Sequence, residues 1–489
     1  MRRLQVALII VLVAAALAIA LLFGVRVTAL SDNRLEPWHT LVPHELDPSE
    51  LEQADWAGYI RAENQLFATL QQALAGQMPA DQHSPYNRFY DQSLVYPGNL
   101  SHDWNRSYIA EPVGPVRGAV VLLHGLTDSP YSLRHFAGHF QAMGLLAVAI
   151  RLPGHGTVPA GLTTAHWEDW MAATRLAVRE AARRLPPGAP LYVVGFSNGG
   201  ALAVKYALDA LEQPELRRPD HLILISPMIG VTRYARFAGI AGLPALFPAF
   251  AKAAWLSLVP EFNPFKYNSF PVNAARQTYE LTEAVRVQLD KARGTPAFRQ
   301  LPPMLTFQSL VDHTVSTRAI KSTLYDRLPA NGSELVLFDT NRSLPLNSLL
   351  RPSVVRLRSE LTAPQARPYA LTLVGAKGED DPQTFAYQVL AGQTQGLQTP
   401  LNIAYPRGLF SLSHVALPFP PDDPLYGQQP SPARGMPEQY GLRLGTLHAR
   451  GERGTLIFDA DTFARATSNP FFGFMLRHMD EALALPPKD

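Results

Sequence analysis

The stretch from Leu191 to Leu208, LYVVGFSNGGALAVKYAL, constrains the fold of this chain more than any other. It opens on an apolar run, Leu191 to Val194, of the kind expected for a strand buried on both faces. It closes as a helix in which Ala201, Leu202, Val204, Tyr206, Ala207 and Leu208 crowd one side, with no proline before Pro214. Between the two stands Gly195-Phe196-Ser197-Asn198-Gly199. A serine on so sharp a strand-to-helix turn has strained dihedrals and tolerates no bulk two residues away on either side, a demand that glycine meets. The following helix directs its unpaired N–H groups and positive dipole end at Ser197, favouring negative charge on an attacked carbonyl oxygen. A glycine-serine turn without chemistry is the alternative. The strand before and the helix after weigh for a nucleophile elbow of the G-x-S-x-G type.

The elbow sits within a longer alternation. The runs 118–124, 145–151, 191–195, 221–226, 304–308 and 334–339 read as buried strands, and helical stretches lie between them at Leu133–Met143, Trp167–Leu185, Ala201–Leu211 and Arg318–Leu328. Strand and helix in alternation imply a mostly parallel sheet covered on both faces, with chemistry gathered at the carboxyl ends of the strands. Two segments break the rhythm. Residues 227–301, rich in apolar and aromatic side chains, are too long for a connection and are expected to form a helical cap. Residues 341–405 form a second insertion of unassigned role, with expected strands at Tyr369–Val374 and Phe385–Leu390.

Ahead of the first strand, residues 31–110 form a polar extension with one amphipathic helix, capped by Asp47, opened by Pro48, boxed by Glu50 and ended by Gly76. Its apolar face, Trp56, Ile60, Phe67, Leu70 and Leu74, is expected to pack on the core. Residues 1–30 differ in kind. Met1-Arg2-Arg3 precedes eighteen uncharged residues, Val6 to Phe23, which as a helix would extend about 27 Å, near the thickness of a bilayer's hydrocarbon. A retained membrane anchor is expected, with the rest of the chain exported. A signal peptide cut near Val27-Thr28-Ala29 is the alternative.

An exposed serine hydroxyl needs a histidine to take its proton and a carboxylate to orient that histidine. Asp312, in PPMLTFQSLVDHTVS, follows a strand directly and is preferred to Asp339. Four histidines follow that strand. His313 adjoins the acid and His478 lies in the closing helix; His414, where an apolar approach breaks into a loop, is preferred to His448. In VVLLHGLTDSP, His124-Gly125 allows a tight turn, so that the N–H of Leu126 can join that of Asn198 as an oxyanion donor. His124 itself reads as a structural loop histidine. Composition narrows the field further. With 43 basic and 41 acidic residues and no single-sign run, nothing points to nucleic acid; with no cysteine, disulfides, thiolate metal sites and a cysteine nucleophile are excluded.

In LLHGLTDSPYSLRHFAGHFQAMG (122–144), IRLPGHGTVPA (150–160) and VVGFSNGGALA (193–203), the chain resembles the α/β-hydrolase superfamily, in its branch of monoacylglycerol lipases and bacterial carboxylesterases with serine aminopeptidase-like members. The resemblance implies an α/β-hydrolase fold in which residues 111–226, 302–340 and 406–489 supply the core. It also implies a triad of Ser197, Asp312 and His414, with an oxyanion hole at Leu126 and Asn198. The expected activity is hydrolysis of carboxylic esters, with acyl-chain or lipid-like substrates, through an acyl-serine intermediate and without metal or organic cofactor. A thioesterase or serine aminopeptidase would use the same machinery; a non-catalytic binding or scaffold protein is the alternative of another class. The expected location is the bacterial inner membrane, single-pass, with the catalytic domain in the periplasm, or a soluble periplasmic form after cleavage.

Overall fold

A computed structural model describes residues 34–230, 248–312, 314–340, 352–376, 383–406, 409, 412–430, 440–446 and 465–485. The expected anchor therefore lies outside the described residues, as do His313, His448 and 231–247 of the expected cap. Among the described residues no helix is long and apolar enough to cross a membrane.

The six runs marked by their apolar character are strands: β2 (Gly118–Leu123), β3 (Leu145–Ile150), β4 (Leu191–Phe196), β5 (His221–Ile225), β8 (Met304–Ser309) and β9 (Glu334–Asp339). They lie parallel, in the order β3-β2-β4-β5-β8-β9. A short strand β1 (Tyr108–Ala110) adds antiparallel to β3 at one edge. At the other edge the second insertion continues the sheet. Its strand β10 (Ala370–Ala376) pairs parallel with β9, placing Leu371 beside Leu335, and β11 (Gln383–Val389) and β12 (Leu397–Ala404) follow antiparallel, completing ten strands. Two of these three strands were expected. The third was not, because LQTPLNIA is exposed over most of its length and carries no buried apolar run.

The pleat divides the core. Ala119, Val121 and Leu123 face helices α4 (Trp167–Arg184), α5 (Asn198–Glu212) and α6 (Val272–Ala292), while Val120 and Leu122 face α3 (Arg134–Ala142) and the closing helix α7 (Phe472–Ala482). Helix α6 falls within the segment expected as a cap. It buries Leu281, Val285 and Leu289 in the same core cluster as α5, so this part of 227–301 covers the sheet. The rest of that segment's described part includes a small hairpin, β6 (Trp255–Ser257) with β7 (Phe270–Pro271). The stretch 318–328, expected as one helix, is a succession of one α-turn, a wider π turn and a 3-10 turn.

The amino-terminal extension packs on this core. Asp47 accepts from the N–H groups of Ser49 and Glu50, and Glu50 returns a bond to the Asp47 N–H, giving the expected capping box. The expected single helix is divided, however, into α1 (Pro48–Gln53) and α2 (Trp56–Ala75). Asp55 accepts from the Gly58 N–H at 2.7 Å and starts a second helix. Leu51 and Tyr59 enter the main core cluster, and the Tyr59 hydroxyl donates to the Arg151 carbonyl at 2.6 Å.

Candidate active site

The elbow is built as the glycine spacing requires. Ser197 has φ 53° and ψ −113°, a conformation that costs a non-glycine residue of order 1–3 kcal/mol. A Cβ on Gly195 would stand 2.4 Å from the Gly199 carbonyl oxygen, and one on Gly199 only 2.0 Å from that of Leu123. The same holds at the next position, Gly200, whose Cβ would meet the side chain of Pro227 at 2.6 Å. The serine's own backbone is pinned between strands: its N–H donates to the Ile225 carbonyl, and its carbonyl accepts from Met228. Ser197 is buried at the carboxyl end of β4, at the start of α5, with the dipole orientation that favours an oxyanion.

Gly125 stands against this turn, since a Cβ there would lie 3.3 Å from the Ser197 Cβ. Leu126 is therefore beside the elbow, in the loop after β2. That loop is held from below and above. His124 is fully buried, its Nδ1 bonded to the Gly125 carbonyl at 2.9 Å and its Nε2 accepting from the Leu152 N–H at 3.0 Å, which uses both ring nitrogens structurally. On the other side the Tyr267 N–H donates to the Thr127 carbonyl at 2.8 Å. The Asn198 carboxamide is fully buried with neither Oδ1 nor Nδ2 bonded to a described group.

Asp312 follows β8, at the same end of the sheet. Its Oδ1 accepts from the N–H groups of Thr314 and Val315 at 2.8 and 2.9 Å. His414 opens a 3-10 turn, His414–Ala416, after the second insertion, and its Nδ1 lies 3.6 Å from Asp312 Oδ1. Its ring also stacks 6.5 Å from that of Phe196, the residue before Ser197. Burial pushes Asp312 up to about 6, against the pull of its backbone donors, and pushes His414 down to about 3, helped by the positive charges of Lys266 and Arg465. The imidazole therefore rests neutral, the form able to accept a proton.

The rival residues are occupied elsewhere. Asp339 Oδ2 accepts from the Arg358 Nε at 2.8 Å. The His478 Nε2 lies 3.0 Å from Glu334 Oε2, beside the first residue of β9 and hence at the opposite end of the sheet. His155 directs Nδ1 to the Pro153 carbonyl and packs its ring against Trp170.

A cavity of about 360 Å3 adjoins the site, bordered by Phe196 on one side and by Val415, next to His414, on the other. Asp128, Asn263, Lys266, Tyr267, Tyr426 and Arg465 supply most of its polar lining. None of these was singled out from the sequence. Asn263, Lys266 and Tyr267 lie in a stretch that reads as an apolar cap, and the lone signal there was the polar interruption NPFKYN.

The serine aminopeptidase S33 family of hydrolases matches residues 114–342, from just before β2 to just after β9. A thermostable monoacylglycerol lipase of Bacillus sp. (strain H-257) is 27% identical over 203 residues, covering 41% of this chain and 72% of that protein. These matches support the α/β-hydrolase superfamily, in its monoacylglycerol-lipase-like branch. Among solved structures, the hydrolase aligns with one from a study of LipS and LipT, two metagenome-derived lipolytic enzymes, at 23% identity and a TM-score of 0.37, over 52% of this chain and 98% of that one. A soluble variant of the monoglyceride lipase of Saccharomyces cerevisiae aligns at 17% identity and a TM-score of 0.37, over 47% and 81%.

Proposed function

We propose that this hydrolase cleaves carboxylic esters through an acyl-serine intermediate. In this reading the Ser197 hydroxyl attacks the carbonyl carbon while His414 takes its proton, and Asp312 orients the ring and stabilises the imidazolium that forms. The N–H groups of Leu126 and Asn198 receive the oxyanion. Collapse breaks the bond to the alkoxide, which leaves with the proton from His414. Water then attacks the acyl-serine with His414 again as base, releasing the acid and restoring Ser197. The observation that carries the reading is the left-handed backbone of Ser197 at the carboxyl end of β4, with the Asp312–His414 pair at the same end of the sheet. The monoacylglycerol lipase relative favours an ester with an acyl chain over a thioester or an amino-acid amide, which the same machinery could serve. We further assign residues 1–30 as an inner-membrane anchor with the catalytic domain in the periplasm, on the strength of the apolar run behind Arg2-Arg3.

One experiment tests these assignments together. A fluorophosphonate probe should label the wild-type chain at full mass in the membrane pellet, and the label should vanish in Ser197→Ala and His414→Ala but persist in His448→Ala. A folded wild-type protein that takes no label would instead be the binding or scaffold protein. Loss of label in His448→Ala with retention in His414→Ala would move the base. A labelled soluble species beginning near Leu30 would make the anchor a cleaved signal.

A further inference from the structure

The cavity beside Ser197 has a charge pattern at odds with a purely apolar acyl pocket. Two of its lining residues are cations, Lys266 and Arg465; one, Asp128, is an acid. Among the described residues neither cation has a carboxylate within ion-pair distance, whereas Arg134, Arg151 and Arg358 are paired with Asp423, Glu45 and Asp339. Asp128 offsets only part of this charge: it is buried, its Oδ1 accepts from the Ser129 N–H at 3.1 Å, and burial raises its carboxyl to about 6 against the pull of Lys266, so that one acid faces two cations.

Lys266 is also held in place. Phe265 before it is fully buried and stacks on Tyr131, with ring centroids 4.0 Å apart and planes 11° from parallel. Its N–H donates to Asn263 Oδ1 at 3.0 Å. Tyr267 after it bonds Thr127 of the oxyanion loop through its N–H, and its hydroxyl accepts from the Thr157 N–H and donates to the Gly154 carbonyl. A lysine between two anchored aromatic residues presents its ammonium with little backbone freedom left to lose on binding. The same cavity offers neutral polar groups at its wall, with the Asn263 amide donating to the Tyr426 hydroxyl at 2.7 Å. Its volume of about 360 Å3 suits a short chain ending in a polar group.

We infer that the ester cleaved at Ser197 carries a carboxylate, which Lys266 binds with the help of Arg465 inside this cavity. This rests on the ester-hydrolase reading and narrows it: the substrate class is a monoester of a short dicarboxylic acid, or the acyl ester of a short hydroxy acid. A substrate with a free amino terminus would need the opposite lining, carboxylates facing an ammonium. The cations also sit where they act on His414, whose pKa both depress. A bound carboxylate would offset that field and make the imidazolium easier to form, so anion binding would assist the chemical step as well as affinity.

The test compares pairs of matched length with the full chain in detergent, following acid release by pH-stat. Ethyl hydrogen glutarate against ethyl valerate puts the charge on the acyl side; 4-acetoxybutyrate against butyl acetate puts it on the alcohol side. In at least one pair, the ratio of kcat/KM for the anionic over the neutral ester should fall tenfold or more in Lys266→Met, and further in the Lys266→Met, Arg465→Met double variant. A smaller change in both pairs overturns the inference. Binding of N-propyl glutaramate, an uncleavable anionic amide, is measured in parallel by calorimetry on Ser197→Ala. Binding lost in Lys266→Met but no turnover of any ester would retain the anion site and reject the ester-hydrolase reading. Turnover of the neutral esters with no Lys266-dependent binding and no change in either ratio would do the reverse.

Discussion

Ser197 shows how one residue type at one place fixes a local structure. Its left-handed backbone is sustained because Gly195 and Gly199 let three main-chain segments approach more closely than any Cβ allows, and because Ile225 and Met228 bond its peptide groups on either side. The acid and the base depend instead on burial. Since burial lifts Asp312 to about 6 and holds His414 near 3, the imidazole is neutral throughout the range from mildly acid to neutral pH. The group that must lose a proton for activity is then the carboxyl of the pair. We expect kcat/KM to rise with pH through an apparent value near 6, belonging to the Asp312–His414 pair as a unit, and to fall below it as the carboxyl is protonated. Asp312→Asn should lower kcat by about 10³–10⁴-fold, because the ring loses its orienting anion. A pH–rate profile flat down to pH 4 in the wild type would contradict this.

Between elements, a buried ion cluster joins the amino-terminal extension to the loop after β3. The Arg151 guanidinium is buried and holds Glu45 through two bonds of 2.8 Å and Glu63 through one of 2.9 Å. The Glu63 carboxylate also accepts from the Ser107 N–H and hydroxyl, so α2, the lead into β1 and the end of β3 share one ion cluster. Removing the cation leaves the buried Glu63 carboxylate with only Ser107 as donor and the half-buried Glu45 with only the Gly154 N–H, and no positive charge paired with either among the described residues. Arg151→Met is expected to cost about 3–5 kcal/mol in urea unfolding, whereas cutting only the partly exposed Arg175–Glu52 pair should cost about 1 kcal/mol or less. Equal effects of the two substitutions would show that the extension is not fastened at Arg151. At this scale the sequence was only partly legible. The capping box at Asp47 announced a helix, but the restart at Asp55 depended on a side chain choosing the Gly58 N–H, which periodicity does not encode. The strand β12 was hidden for a related reason: an exposed edge strand needs no apolar alternation, and only its pairing with β11 makes it a strand.

Across the whole molecule, three buried carboxyls near the cavity titrate high. Asp128 and Asp312 are raised from 3.8 to about 6, and Glu261, which accepts from the Asn268 and Ser269 N–H groups, from 4.5 to about 7, in each case chiefly by burial. Each binds its proton more tightly folded than unfolded, so its contribution to stability is complete below the ordinary carboxylate value. That contribution is lost as pH rises through the folded value. Glu261→Gln keeps an acceptor for one N–H and removes the charge. It should therefore raise the melting temperature at pH 8 relative to the wild type, with a gain of at most about 3 kcal/mol that shrinks toward pH 4.5. Thermal melts of the two proteins at pH 4.5, 6 and 8 check the sign; a gain larger at pH 4.5 than at pH 8 would be the contrary result.

The amino-acid sequence alone determined the elbow, the six parallel strands and the helices α3, α4, α5 and α7, because each depends on short-range sterics or on a run of apolar residues that must leave water. It also ranked Asp312 above Asp339, since position after a strand is a property of the chain order. What the tertiary structure alone decided is how residues distant in sequence meet. The 3.6 Å approach of His414 to Asp312 comes after three further strands have extended the sheet, α6 covers the core where a cap was expected, and Lys266 stands beside the elbow because Phe265 and Tyr267 are anchored by other loops. Such meetings are set by packing and by buried charge pairing across the fold, whose strength depends on which groups exclude water together, and no local pattern in the chain carries that information.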